Sequence, residues 1–355
     1  MNSRERILAA IRLQKPDRVP CSPHVGPDMV HAMPRDEWGA LLRGTDVTMS
    51  VPALGDAQIF GGQYWLDHSQ VVRRGDTYTT LVYTPKGTLR AQRVVTREAN
   101  WVSEHFYKGP EDIEKLLSVP YHRPQFEVSR YFEWEEALGD EGLVALGIPS
   151  AFRFCLDLFG SQELYLTIAD DADLVERLVA TMNERLALYV RACCEKGVRS
   201  FWMGGSEHCG PGVVHPRTFQ RMITPYDRHI VDILHRYGGI VNYHTHGKLK
   251  HILDDIAEIG ADVMSPIETG LRGDVTLAEV KARVGGRICL KGNLDDMAYL
   301  SQASESEVRA AAEECIAQAA KGGGYILSGT DAGIYTPQWV RSFLVMAQVA
   351  REHAY

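Results

Sequence analysis

The sequence predicts an α/β chain folded as a (β/α)8 TIM barrel, with a β-hairpin inserted near residues 62–110. Three observations carry that expectation. Apolar runs of strand length alternate with amphipathic stretches of helical spacing through the second half. Glycines stand just past several of those stretches, at Gly197, Gly238, Gly260, Gly285 and Gly322, where a left-handed residue suits a helix end. No G-x-G-x-x-G follows the first apolar run, so the mark of the rival open, dinucleotide-binding sheet is missing.

The elements follow in chain order. "DRVPCSPHVG" (17–26) supplies a first strand, and a second is expected near "DAQIFGG" (56–62). "DTYTTLVYTPKGTLRAQRVVT" reads as the inserted hairpin, turning at Pro85-Lys86-Gly87. Then come about six strand-then-helix units, whose apolar runs lie at 142–150, 198–207, 240–247, 261–268, 287–293 and 325–331. Alternating strands and helices argue for a parallel sheet, and the strand total suggests a closed barrel. No long linker interrupts the chain, so residues 1–355 are expected to form one barrel domain.

Composition limits the partners. The chain is 45% hydrophobic and 24% charged, with a formal net charge of -8 and scattered Lys and Arg, which argues against a nucleic-acid partner. The seven cysteines are odd in number and none has C-x-x-C spacing, which disfavours both disulfides and a thiolate-only zinc site. The N-terminus lacks an apolar signal core, and no apolar run is long enough to span a bilayer. A cytoplasmic protein with no membrane role is expected.

The candidate site falls at the strand ends. Side chains alternate faces along a strand, so Asn242, His244 and His246 of "IVNYHTHG" share one face, expected to be the inner one at the carboxyl end. That end carries the active site in barrel enzymes. Glu207 follows the preceding strand, and adjacent strands lie about 4.8 Å apart. A Glu and two His suit Zn(II), or Fe(II) as a facial triad, so Glu207, His244 and His246 are the expected metal ligands. Asp331, His24 and Glu268 are candidate catalytic groups, with Asp331 or His24 handling protons. Asn242 and Asn293 are candidate cofactor-binding residues, and Asp28 also follows the first strand. "GGG" (322–324) precedes a strand and reads as a helix stop, and Cys193-Cys194 reads as core.

The chain resembles the uroporphyrinogen decarboxylase superfamily in "SRERILAAIRLQKPDRVP", "FQRMITPYDRHIVDILHRYGG", "HTHGKLKHILDDIAEIGADVMSPIE", "DVTLAEVKARVGGRICLKGNLD" and "GGGYILS". The resemblance implies a (β/α)8 barrel and, as a family-like expectation, a homodimer. The true decarboxylase branch needs no metal and has an arginine-rich segment near the N-terminus that holds substrate carboxylates. Here that region reads "VPCSPHVGPDMVHAMP", with no arginine before Arg35. The other branch holds methyltransferases that work with corrinoid proteins and bind zinc through His-x-Cys-Gly, a last-strand cysteine and a glutamate. By that resemblance His244 matches the motif histidine, Glu207 the glutamate region, and His246 stands in place of the cysteine. The last cysteine is absent, and "SGTDAG" offers Asp331.

Two functions result. One is a metal-dependent methyltransferase moving a methyl group between a small methylated or carboxylated substrate and cobalamin on a partner corrinoid protein or another acceptor. The other is a metal-independent decarboxylase acting on a porphyrinogen or another carboxylic acid. The latter would draw cations from Arg73, Arg74, Lys86, Arg90 and Lys291.

Overall fold

The computed structural model describes residues 1–52, 55–123, 125–331 and 333–353. Eight parallel strands form one sheet: β1 (His24–Val25), β2 (Val47–Pro52), β7 (Gly142–Pro149), β8 (Ser200–Gly204), β9 (Ile240–His244), β10 (Val263–Ser265), β11 (Cys289–Leu294) and β12 (Tyr325–Gly329). They neighbour one another in that order. A parallel bridge from Cys21 to Leu327 brings the first and last strands together, so the sheet curls into a nearly closed barrel. Both faces of such strands are covered, which is why β12 reads as the buried run "YILSG".

The helix Ser3–Ile11 closes the amino end of the barrel. Asn2 and Glu5 form a capping box at its start. Ile7, Ala10 and Ile11 then pack against Val263, Cys289 and Ile326, residues near the strand starts. Burial there leaves the carboxyl ends as the open side of the barrel.

The second strand differs from expectation. It is Val47–Pro52, whereas the predicted "DAQIFGG" contains the short helix Asp56–Phe60. In β2 the outward Val47, Met49 and Val51 are buried, and they alternate with Thr48 and Ser50. Those polar residues break the apolar run that would have marked the strand. The hairpin is also larger than predicted. Strands β4 (Thr77–Thr84) and β5 (Gly87–Val95) meet across Pro85-Lys86, but β3 (Ser69–Arg74) and β6 (Asn100–Glu104) extend them to four antiparallel strands. The added strands are largely exposed, so burial leaves little apolar signature on them. Val82 and Leu89 tie this sheet to the main core.

Gly197, Gly238, Gly260 and Gly322 have φ of 101°, 71°, 84° and 88°, as helix stops require. Gly285 departs from that expectation, at φ -64°. A Cβ there would lie 2.6 Å from the Lys281 carbonyl oxygen, so close packing is its reason for being glycine. All seven cysteines are buried and unbridged, and Cys193 and Cys194 lie in the core. No described helix is long and apolar enough to cross a membrane.

Candidate active site

Strand β9 sorts its side chains as alternation dictates. Val241 and Tyr243 are fully buried on the helix side, where the Tyr243 hydroxyl donates to Asp227 Oδ2 at 2.6 Å. Asn242 and His244 occupy the other face. The strand stops at His244, so His246 stands in the turn beyond it. The two imidazole centroids are nevertheless 4.6 Å apart.

Each ring has a partner at Nδ1. His244 Nδ1 lies 3.5 Å from the Ser265 hydroxyl, whose own proton goes to Asn242 Oδ1 at 2.9 Å. His246 Nδ1 pairs with Glu268 Oε1 at 3.2 Å, and Glu268 Oε2 accepts the Gly247 N–H at 2.7 Å. The electrostatics of the rings diverge. Burial pushes His244 well below the usual imidazole range, with only partial opposition from Asp331. Burial acts the same way on His246, but the Glu268 contact outweighs it and raises the imidazole. Burial opposes ionisation of Glu268, yet His246 and the Gly247 N–H hold it below the usual carboxylate range.

A second cluster fills the centre. Asp331 follows β12 with φ 56°, a left-handed conformation that Asp tolerates. The Lys291 ammonium donates to both its carboxylate oxygens at 2.7 Å, and both side chains are 1% exposed. Burial alone would raise Asp331, but Lys291, His24 and His244 bring it down to about 2. His24 is lowered to about 4, chiefly by burial. Its Nε2 contacts the Ser50 hydroxyl at 2.9 Å, while Nδ1 is buried with no hydrogen-bond partner. The Trp202 ring contacts both inner histidines, 4.5 Å from the His244 ring and 5.9 Å from the His24 ring.

Other candidates sit apart. Glu207 lies in the turn Ser206–Cys209, and its Oε2 accepts the Gly205 N–H at 2.9 Å. It borders a cleft of about 400 Å³ lined also by Ser50, Pro52, Arg153, Asp157 and Trp202. Glu207 is near enough to act electrostatically on His246. Among the described residues, however, no three His, Cys, Asp or Glu side chains gather within reach of one ion. Asn293 accepts the Cys315 thiol at 3.1 Å and borders a different cleft, of about 460 Å³, shared with Arg272, Tyr299 and Glu268. Asp28 is exposed on the first turn of the helix Pro27–Ala32.

Sequence reasoning named Lys291 without its partner and singled out neither Trp202 nor Arg153. Lys291 was offered as a cation for the decarboxylase reading, and its fixed partner Asp331 is forty residues away. Trp202 was not singled out, though strand alternation puts it on the inner face with Asn242, its neighbour in register. Arg153 stands on the first turn of the helix Ala151–Phe159, and the strand-end logic used for Glu207 would have found it.

The chain belongs to the uroporphyrinogen decarboxylase (URO-D) family, whose model matches residues 138–352. The uroporphyrinogen decarboxylase of Paraburkholderia phytofirmans is 30% identical over 128 residues, 35% of this chain and 32% of that protein. That of Paraburkholderia xenovorans is 29% identical over the same shares. The match thus spans about a third of each of these curated relatives. Among solved structures, a methyltransferase from Methanosarcina mazei superposes with a TM-score of 0.66 at 17% identity, covering 98% of both chains. That likeness supports the shared barrel fold.

Proposed function

We propose that this chain is a metal-dependent methyltransferase. It would move a methyl group between a small substrate and a corrinoid carried by a partner protein. The observation that carries this reading is the pair His244 and His246, two imidazoles 4.6 Å apart at the barrel mouth. With Nδ1 of each ring turned to a protein partner, Nε2 is the nitrogen left for a ligand, the usual arrangement around metal-binding histidines. Burial also keeps His244 neutral, the form that binds a metal.

Donor types suit zinc or ferrous iron at these two imidazoles, and Glu207, which does not gather with them in this conformation, would be the carboxylate donor after turning. The Glu207 carboxylate is engaged by Gly205 N–H in this conformation, so binding would exchange that contact for the ion. A metal bound there supplies a Lewis acid that polarises the substrate heteroatom carrying the methyl group. The chain's own residues prepare the surroundings. Ser265 and Glu268 orient the two rings. Lys291 holds Asp331 ionised beside His24 and His244. His24 Nδ1, buried without a partner, is the atom placed to take or give a proton.

The decarboxylase alternative finds little support. Arg73 and Arg74 lie on the exposed sheet, Lys86 pairs with Glu114, and Arg90 pairs with Glu104. Of these five cations Lys291 alone reaches the inner cluster, and there it is committed to Asp331.

Elemental analysis of protein purified without chelator tests the reading. About one equivalent of zinc or iron is expected, with loss of at least ten-fold in metal affinity in His244→Ala. Less than about a tenth of an equivalent, unchanged by the substitution in a folded protein, sinks it. Affinity should also weaken as pH falls through the raised pKa of His246, because the ion and the proton compete.

A further inference from the structure

The cleft beside Trp202 meets the proposed metal site at Glu207, and the rest of it is unassigned. Its walls come from Ser50 and Pro52 of β2, Pro149 of β7, and Trp202 and Gly204 of β8. Its charged lining residues are Arg153, the one cation among those described, and the carboxylates Asp157 and Glu207, the latter turned to the Gly205 N–H. The arginine stem runs across Gly205, where an added Cβ would lie 2.9 Å from Arg153 Cβ and 3.2 Å from Cγ. Gly205 also has φ 101°, so a side chain there is both strained and obstructive. The backbone is thus shaped to let this arginine through.

One donor in the cleft wall is left unsatisfied, and a second is held by an exchangeable surface partner. Trp202 Nε1 is buried with no hydrogen-bond partner. Arg153 Nη1 is buried against the Asp157 carboxylate, its ion-pair partner. Buried N–H groups are nearly always paired in native proteins, so the indole N–H beside this arginine calls for an acceptor. An indole N–H can only donate, and a guanidinium fork matches a carboxylate.

We infer that this cleft is an anion subsite in which Arg153 and Trp202 anchor the carboxylate of the substrate. The substrate class is then a small methyl-bearing carboxylic acid. This deepens the methyltransferase reading and rests on it for the fate of the methyl group. Asp157 acts as a placeholder. It is an i,i+4 partner of Arg153 on a partly exposed helix face, a weak class of ion pair that a bidentate ligand displaces. From Arg153 the remainder of the molecule extends along Trp202 toward the His244 ring, 4.5 Å from the indole.

The test measures binding of methoxyacetate and of its neutral isostere methoxyacetamide to the full chain by ligand-observed NMR, without added metal. The wild type should bind the anion at least about ten-fold more tightly than the amide. Arg153→Gln should abolish that preference, and Arg153→Lys, which keeps charge but loses the fork, should retain part of it. Asp157→Asn should raise affinity for methoxyacetate and leave methoxyacetamide unchanged. Equal affinities in the wild type, a preference that survives Arg153→Gln, or no methoxyacetate binding at about 50 mM overturns the inference. The readout involves neither metal nor methyl transfer, so failure of the metal reading leaves its outcome interpretable.

Discussion

Lys291 and Asp331 show what single residues decide in this barrel. Each is 1% exposed, and each satisfies the other. Removing one partner leaves a buried charge, so Lys291→Met should destabilise the fold by about 3–5 kcal/mol. Lys291→Met with Asp331→Asn removes both charges and should recover most of that loss. Urea unfolding of both single variants and the double measures it, and a double loss equal to the sum of the single losses would show that the pair is not coupled. At this scale the sequence was partly legible. His24, His244, Glu268 and Asp331 were all singled out from strand-end position, and their side chains do crowd the inner end of the barrel. The pairing of Asp331 with Lys291, and of His246 with Glu268, was not legible. Sequence position says which strand end a group stands on but not which neighbour its charge will find.

Elements are joined at the site by Asp227. It comes from the helix Thr224–Arg236 and accepts hydrogen bonds from Ser150, at the end of β7, and Tyr243, in β9. Its carboxyl is fully buried, and burial raises it to about 7 despite those two hydroxyls. The sign of the pH effect follows. The folded pKa exceeds the unfolded value of about 3.8, so the folded state binds the extra proton. Stability from this group is full below pH ~4 and is lost as pH rises through about 7. Asp227→Asn does not titrate, so its stability relative to the wild type should improve between pH 4 and 8. Denaturant midpoints across that range check it, and parallel curves would refute a buried neutral carboxyl. Ser150 uses its hydroxyl here and so makes no side-chain cap on the helix Ala151–Phe159 that carries Arg153. A serine before a helix reads as an N-cap, which is why this link between three elements was hidden in the sequence.

For the whole molecule, acid should act through the barrel centre. His24 and His244 have pKa values below the unfolded imidazole value, His24 at about 4. Their contribution is therefore full above pH ~6.5 and is lost as pH falls toward the folded values, with His24 alone worth about 3 kcal/mol. Wild-type stability should drop between pH 6.5 and 4, and His24→Gln should flatten part of that slope. An unchanged slope in the variant would place the acid sensitivity elsewhere. The barrel class was legible because parallel strands covered on both faces must be apolar runs, and the helices between them must be amphipathic. Both patterns are local and survive in the sequence, as do the glycine stops and the turn at Pro85-Lys86. The sequence by itself therefore determined the strand-helix rhythm and the face on which Asn242 and His244 stand. Tertiary structure alone decided that Val47–Pro52 is the second strand, that Glu207 turns to Gly205, and that Arg153 reaches a cleft beside Trp202. Those outcomes depend on burial and on contacts between residues distant in sequence, and neither leaves a periodic trace along the chain.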